Sequence, residues 1–286
     1  MKALIIGANG QLGWELTRTC PDGITLFGAD YPKIDLCNRS TINKWINTTF
    51  PDCIINAAGY TAVDKAEKEK SKAWQVNHKG VENLALEAKQ ANISLVHIST
   101  DFVFNGEQSR PYRPDDKPCP ESVYGKSKLE GELVVNKILD FKALVIRTAW
   151  LYSSHGNNFV KNMLNLMKGH SSINVIDEQI GTPTWAYSLA NTIWTALKKE
   201  LSGTFHYTDA GVASWYDFAV AIQEEGLAAG ILKRANPILP VPVSKFPTPA
   251  KRPMYSVLDK QTMWQATGIT PNHWRVNLRS MLKELI

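Results

Sequence analysis

Short, unbroken apolar runs separated by helical spacing recur through the first half of the chain. Ala3–Ile6, Ile24–Ala29, Cys53–Asn56, Leu95–Ile98 and Ala143–Arg147 each have the length and character of a buried strand. Between them a 3.6-residue rhythm predicts helices. One runs through Leu16, one spans Thr41–Phe50 with Ser40 as its cap, one spans Ser71–Gln90, and one opens at Glu121-Ser122-Val123. This alternation implies an α/β fold, a Rossmann-like doubly wound parallel sheet that gathers ligands at the carboxyl ends of its strands.

Past Trp150 the alternation loosens. Helical spacing returns over Asn157–Met167, Ala186–Lys199, Trp215–Gly226 (capped by Ser214) and Trp274–Leu285. Ile173–Ile176 and Thr204–Tyr207 read as strands, Gly181–Thr184 as a turn, and the proline-rich Pro237–Pro253 as an extended surface segment. The expected organisation is a dinucleotide-binding domain over 1–150, to which a strand and helix return from about 172–205. A smaller α/β substrate lobe covers mainly 151–286.

Composition narrows the class. The chain has 286 residues, 44% hydrophobic and 21% charged, with a net charge of +5, so it can bury a large core in one big or two closely joined domains. Lys65, Lys68, Lys70 and Lys72 interleave with Glu67 and Glu69, the pattern of a solvated helix face and not of a nucleic-acid patch. The mild positive bias favours an anionic substrate such as a sugar nucleotide. Cys20, Cys37, Cys53 and Cys119 show no Cys-x-x-Cys spacing, and His155, His170 and His206 form no ligand pattern. Reduced thiols and no metal centre are expected. The apolar run before Gly7 is too short for a signal peptide or a membrane span, so the expectation is a cytoplasmic protein with no membrane partner.

The first strand ends in Gly7-Ala8-Asn9-Gly10-Gln11-Leu12-Gly13 and runs straight into a helix. Glycines let backbone approach a pyrophosphate, and the helix N-terminus offers unpaired N–H groups. Asp30, at the end of the second strand, is placed to bond a ribose 2′-hydroxyl and favours NADH. Lys33 and Arg39 nearby soften that preference, so NADH and NADPH both stay open. Asp35 and Leu36 follow in an adenine-side loop. Ala57-Ala58-Gly59-Tyr60, after the third strand, leave room for a cofactor to pass the backbone.

Thr100 and Asp101 stand where the fourth strand ends, and Tyr124 and Lys128 lie one helical turn apart on one face. A free tyrosine titrates near ~10. A neighbouring lysine cation is expected to pull that value down, giving a proton-transfer group for a ketone or alcohol, with the hydroxyl of Thr100 or Ser99 beside it. Arg252, preceding Pro253, is a fork donor suited to a diphosphate. Trp150 is either a platform for a hexose or a core tryptophan.

Together, Gly-x-x-Gly-x-x-Gly, Asn56-Ala57-Ala58, Ser99-Thr100-Asp101 and Tyr124-x-x-x-Lys128 resemble the extended short-chain dehydrogenases/reductases. Gly10-Gln11-Leu12-Gly13, Thr61–Glu67, Ser99–Phe104, Arg147-Thr148-Ala149-Trp150 and Gly156-Asn157-Asn158-Phe159 narrow the resemblance to the dTDP-4-dehydrorhamnose reductase family over nearly the whole chain. That resemblance implies NAD(P)H-dependent reduction of the C4 ketone of dTDP-4-dehydro-6-deoxy-L-mannose to dTDP-L-rhamnose. Tyr124 would give the proton, Lys128 would hold the nicotinamide ribose, and Thr100 would orient the carbonyl. It also implies that Asn158, the Gly181–Thr184 turn and Arg252 face the sugar nucleotide. Some family members pair through Mg2+ held by acidic residues. Glu284 matches one of these without a clear second ligand, which leaves a monomer or a homodimer. Two rival readings stay in view: a reductase or epimerase of another nucleotide sugar, and a non-catalytic regulatory subunit. The intact Thr100/Tyr124/Lys128 set argues against the latter.

Overall fold

The computed structural model describes residues 1–286, the Phe141 side chain excepted. In chain order the longer strands are β1 (Lys2–Ile6), β2 (Thr25–Ala29), β3 (Cys53–Asn56), β4 (Ser94–Thr100), β5 (Ala143–Thr148), β6 (Ile173–Ile176), β7 (Gly203–His206) and β8 (Ile238–Val241). The main helices are α1 (Gln11–Arg18), α2 (Arg39–Thr49), α3 (Gly80–Gln90), α4 (Val123–Leu139), α5 (Phe159–Gly169), α6 (Ala186–Lys198), α7 (Trp215–Ala228) and α8 (Trp274–Lys283).

Six strands form one parallel sheet in the order β7-β5-β4-β3-β1-β2. Side chains alternate across a strand, so β1 feeds two cores at once. Leu4 and Ile6 pack with Ile42, Leu84 and Val135 of α2, α3 and α4, while Ala3 and Ile5 pack with Leu12 and Leu16 of α1 and Leu189 and Ile193 of α6. Burial on both faces is why the interior strands β1, β3, β4 and β5 read as near-continuous apolar runs, each Ile or Leu contributing about 1.5–3 kcal/mol. A third core joins α5, α7 and α8 through Met163, Phe218 and Leu278.

Several local expectations needed correction. Asn38, not Ser40, caps α2: its side chain accepts the Ser40 N–H. The helical segment before α3 is interrupted by a π-turn at Gln75–Lys79, which drives Asn77 into the interior. The proline-rich segment contains β8, which pairs in parallel with β6 as a two-stranded ribbon. Pro240 lacks an N–H, but an edge position tolerates that. Of residues 172–205, α6 packs on the large sheet and the segment runs on into β7, its edge strand; β6 lies outside that sheet. Among the described residues no helix is long and apolar enough to cross a membrane.

Candidate active site

Strand register assembles the site. Ile6 pairs with Ala29 and with Asn56, Asn56 with His97, and Thr100 with Thr148. Gly7, Asp30, Ala57, Asp101 and Ala149 therefore leave the sheet along one edge, beside the β1/β3 switch point where the strand order reverses. A cavity of about 1410 Å³ opens there. Single small-molecule pockets run to roughly 1,000 Å³, so this one has room for two ligands side by side.

Most residues expected at a site line this one cavity. They are Gly7, Gly10, Gln11, Leu12, Asp30, Asp35, Leu36, Ala57, Ala58, Gly59, Thr100, Asp101, Tyr124, Lys128, Trp150, Asn158 and Arg252. Asn9, Gly13 and Tyr60 are placed otherwise. The Asn9 N–H donates to both Asp30 carboxylate oxygens, at 3.2 and 3.0 Å, tying the glycine loop to β2. A Cβ on Gly13 would lie 2.1 Å from the Gly7 carbonyl oxygen, so this glycine lets α1 close on the loop. The Tyr60 phenol donates to Glu69 at 3.0 Å, away from the cavity, while its backbone is clamped by Asn77, whose amide also donates to Ser127 of α4. Asn77 was not foreseen, because a π-turn leaves no mark on apolar periodicity.

The glycine loop is built for close approach. Gly7 has φ +86°, and a Cβ there would meet the Ala58 nitrogen at 2.8 Å. Gly10 caps α1 with no side-chain hydrogen bond, so the helix presents bare N–H groups at the cavity wall.

Elsewhere on the cavity wall Ser122 caps α4 and sets Tyr124 and Lys128 in its first turns, both buried. Burial, with the Asp101 charge adding and the Thr100 hydroxyl opposing, pushes the Tyr124 phenol up to about 12. Lys128 Nζ donates to the Ile98 carbonyl at 2.6 Å, and burial, opposed by Glu132, brings its ammonium down to about 8. The expected lowering of Tyr124 by Lys128 is thus absent: burial raises the phenol, and the Lys128 ammonium is turned toward the β4 backbone. Thr100 accepts the Phe102 N–H and donates to Asp101, whose carboxyl burial raises to about 6. Behind them lies a buried ion pair, Glu132–Arg147 at 2.7 Å, joined by Ser99.

On the lobe side Asn158 and Trp150 line the cavity as expected, each with a packing role besides, while the Gly181–Thr184 turn does not reach it. Asn158 caps α5 and spends its amide on Gln11 at 3.0 Å and the Ser153 carbonyl at 2.7 Å, so it joins the lobe to the glycine loop. Trp150, at φ 48°, stacks on Trp215 at 3.5 Å while lining the cavity, so it belongs to the core and to the site together. The Gly181–Thr184 turn lies behind that ring: a Cβ on Gly181 would touch the indole at 2.6 Å. Glu284 is engaged by Arg18 at 2.8 Å and by Ser154, and among the described residues no group of three or more His, Cys, Asp or Glu could hold a metal.

A sequence model of the RmlD substrate binding domain matches residues 1–286. The chain belongs to the RmlD family. It is 38% identical to the dTDP-4-dehydrorhamnose reductase of Aggregatibacter actinomycetemcomitans over 98% of both chains. The crystal structure of a dTDP-4-dehydrorhamnose reductase from Clostridium acetobutylicum superposes with TM-score 0.93 at 40% identity, covering 100% of this chain and 99% of that one. The enzyme from Bacillus anthracis, solved in complex with NADP, gives TM-score 0.93 at 34% identity over 99% of both chains. An extended short-chain dehydrogenase/reductase scaffold accounts for the glycine cradle and the buried Tyr124/Lys128 pair in this RmlD-family chain.

Proposed function

We propose that this chain reduces the C4 ketone of dTDP-4-dehydro-6-deoxy-L-mannose to dTDP-L-rhamnose, using NADPH or NADH. The observation that carries the reading is that Thr100, Tyr124 and Lys128 line the same cavity as the bare N-terminus of α1, a space large enough for two ligands.

The residues present fit a dinucleotide. The loop around Gly7 would be blocked by any Cβ, α1 offers unpaired N–H groups, and the buried Thr148 hydroxyl at the cavity lacks a partner. Gly10, Gln11 and Leu12 would hold its pyrophosphate, Asp30 and Leu36 its adenosine half, and Lys128 the nicotinamide ribose. When bound, the cofactor supplies a hydride.

The chain's own residues supply the rest. A phenol held near 12 keeps its proton throughout the neutral range, so Tyr124 is the donor to the alkoxide that develops at C4. Thr100, pinned by Asp101 and Phe102, orients the carbonyl beside it. Lys128 provides positive charge at the same wall, where low dielectric strengthens it. Arg252 and the Trp150 ring take the diphosphate and the hexose.

The test follows nicotinamide absorbance with dTDP-4-dehydro-6-deoxy-L-mannose and each cofactor in turn. Substrate-dependent loss of absorbance is expected. Turnover only with other 4-keto sugar nucleotides, or none at all, overturns the assignment.

A further inference from the structure

Behind the catalytic wall a fully buried asparagine and histidine fix the hydrogen-bonding state of Lys128. Asn56 Oδ1 accepts the Ala58 N–H at 3.2 Å, which turns its Nδ2 toward His97 Nδ1, 3.2 Å away. His97 Nδ1 is therefore an acceptor, and the single N–H of the neutral ring sits on Nε2. That nitrogen lies 3.4 Å from Lys128 Nζ, which also donates to Ile98. Both side chains are shut away from water: His97 is 0% and Lys128 4% exposed.

We propose that His97 is a positioning residue: locked by Asn56 with its proton on Nε2, it aims a donor at Lys128 Nζ and so selects the amine form of that nitrogen. An amine meets the histidine N–H with its lone pair and keeps an N–H for Ile98. An ammonium has no lone pair and faces N–H against N–H.

The other groups around Lys128 do not offset this. On its own helix Glu132 favours the ammonium but is committed to Arg147, and Tyr124 lies one turn away with its proton held. The β3 end presents Asn56 and Gly59, the π-turn presents Asn77, and Asp101 stands on the Thr100 side, hydrogen-bonded to Thr100. Burial holds His97 neutral, well below the usual histidine range, so it does not itself titrate near neutrality. The kinetic consequence, which rests on the reductase reading, is that the Lys128 charge is present in the lower working range and fades as pH rises.

Two measurements decide it. The first is the nitrogen-15 spectrum of the full-length protein labelled in histidine: His97 should show an unprotonated Nδ1 and a protonated Nε2, unchanged between pH 6 and 9. The opposite tautomer or an imidazolium overturns the proposal whether or not the chain is a reductase. The second is the pH profile of kcat/KM. His97→Gln can turn an amide oxygen to Lys128, and the alkaline limb should move up by about one pH unit. Asn56→Asp can only accept from His97, so it enforces the other tautomer and should move the limb the same way. A limb unmoved in whichever variant folds overturns it.

Discussion

Arg252 and Asp64 form an ion pair at 2.5 Å that fastens the proline-rich strap to the segment after β3, at the mouth of the cavity. The strap backbone reinforces it, the Ala250 N–H donating to Asp64. Both side chains are partly exposed, at 25% and 38%, so the pair adds only about 0–1 kcal/mol to stability. On the proposed function, the pair holds the guanidinium in place for the substrate's diphosphate. Arg252→Ala should raise KM for the sugar nucleotide roughly tenfold or more, the scale of a lost charge-assisted bond, while Tm changes by no more than a few degrees. Steady-state kinetics beside thermal melts check both.

Tyr124→Phe removes the proposed proton donor and leaves the ring packed edge-on against Phe102. Turnover should fall about 10²-fold or more, the usual scale for a general acid, with nicotinamide cofactor affinity nearly unchanged. A near-normal kcat would dismiss Tyr124 as the donor.

Much of this was legible from the chain because parallel, doubly buried strands write themselves as Val/Ile/Leu runs. Ala3–Ile6 and Ala143–Arg147 were located to within a residue or so, and the glycine loop and Tyr124/Lys128 follow from them. What stayed hidden was three-dimensional bookkeeping. Nothing near Asn158 signals Gln11, and nothing near Arg252 signals Asp64. The order of electrostatic effects at Tyr124 was invisible too, because spacing gives the lysine but neither the burial that raises the phenol nor the turn of the ammonium toward the β4 backbone. The strand β8 was masked by its prolines, which a two-stranded ribbon accepts where a central strand would not.

The Glu132–Arg147 pair is buried on both sides, at 2% and 5% exposure. Removing one partner strands a charge in low dielectric, which costs about 3–5 kcal/mol. Arg147→Met should lower the urea midpoint by that equivalent with the m-value unchanged. A shift below about 1 kcal/mol would show that Glu132 simply takes up a proton in compensation.

His206 is buried beside Arg147, donates from Nδ1 to the Tyr112 carbonyl at 3.0 Å, and is brought down to about 3 by burial and by that guanidinium. Its folded value therefore lies below the unfolded value near 6.5. The unfolded chain binds the proton more readily, so the contribution of His206 is complete above about pH 6.5 and drains away as pH falls toward 3. The full swing is on the order of 5 kcal/mol. His206→Gln, which can keep the bond to Tyr112, should be less stable at pH 7.5 yet lose less on acidification, so the two urea-midpoint curves converge toward pH 4. Parallel curves would mean that His206 is not the acid-sensitive group.

Asp30 puts a carboxylate where β2 meets the cavity, both oxygens already taking the Asn9 N–H. Those bonds hold the charge in place; on the proposed binding mode the adenosine end lies here, so that a 2′-phosphate would meet the carboxylate and a 2′-hydroxyl would bond to it. Arg39, one of the two nearby cations expected to soften this preference, is turned away to Glu87 at 2.7 Å. Replacing Asp30 by Asn keeps an acceptor for the loop and deletes the charge. Repulsion between two unit charges about 5 Å apart at an effective dielectric of about 20 is about 3 kcal/mol before solvent screening at this partly exposed site, so kcat/KM for NADPH over NADH should rise roughly tenfold or more in Asp30→Asn. A ratio that does not move would place the 2′ position elsewhere along the Asp35–Leu36 loop and transfer cofactor choice to it.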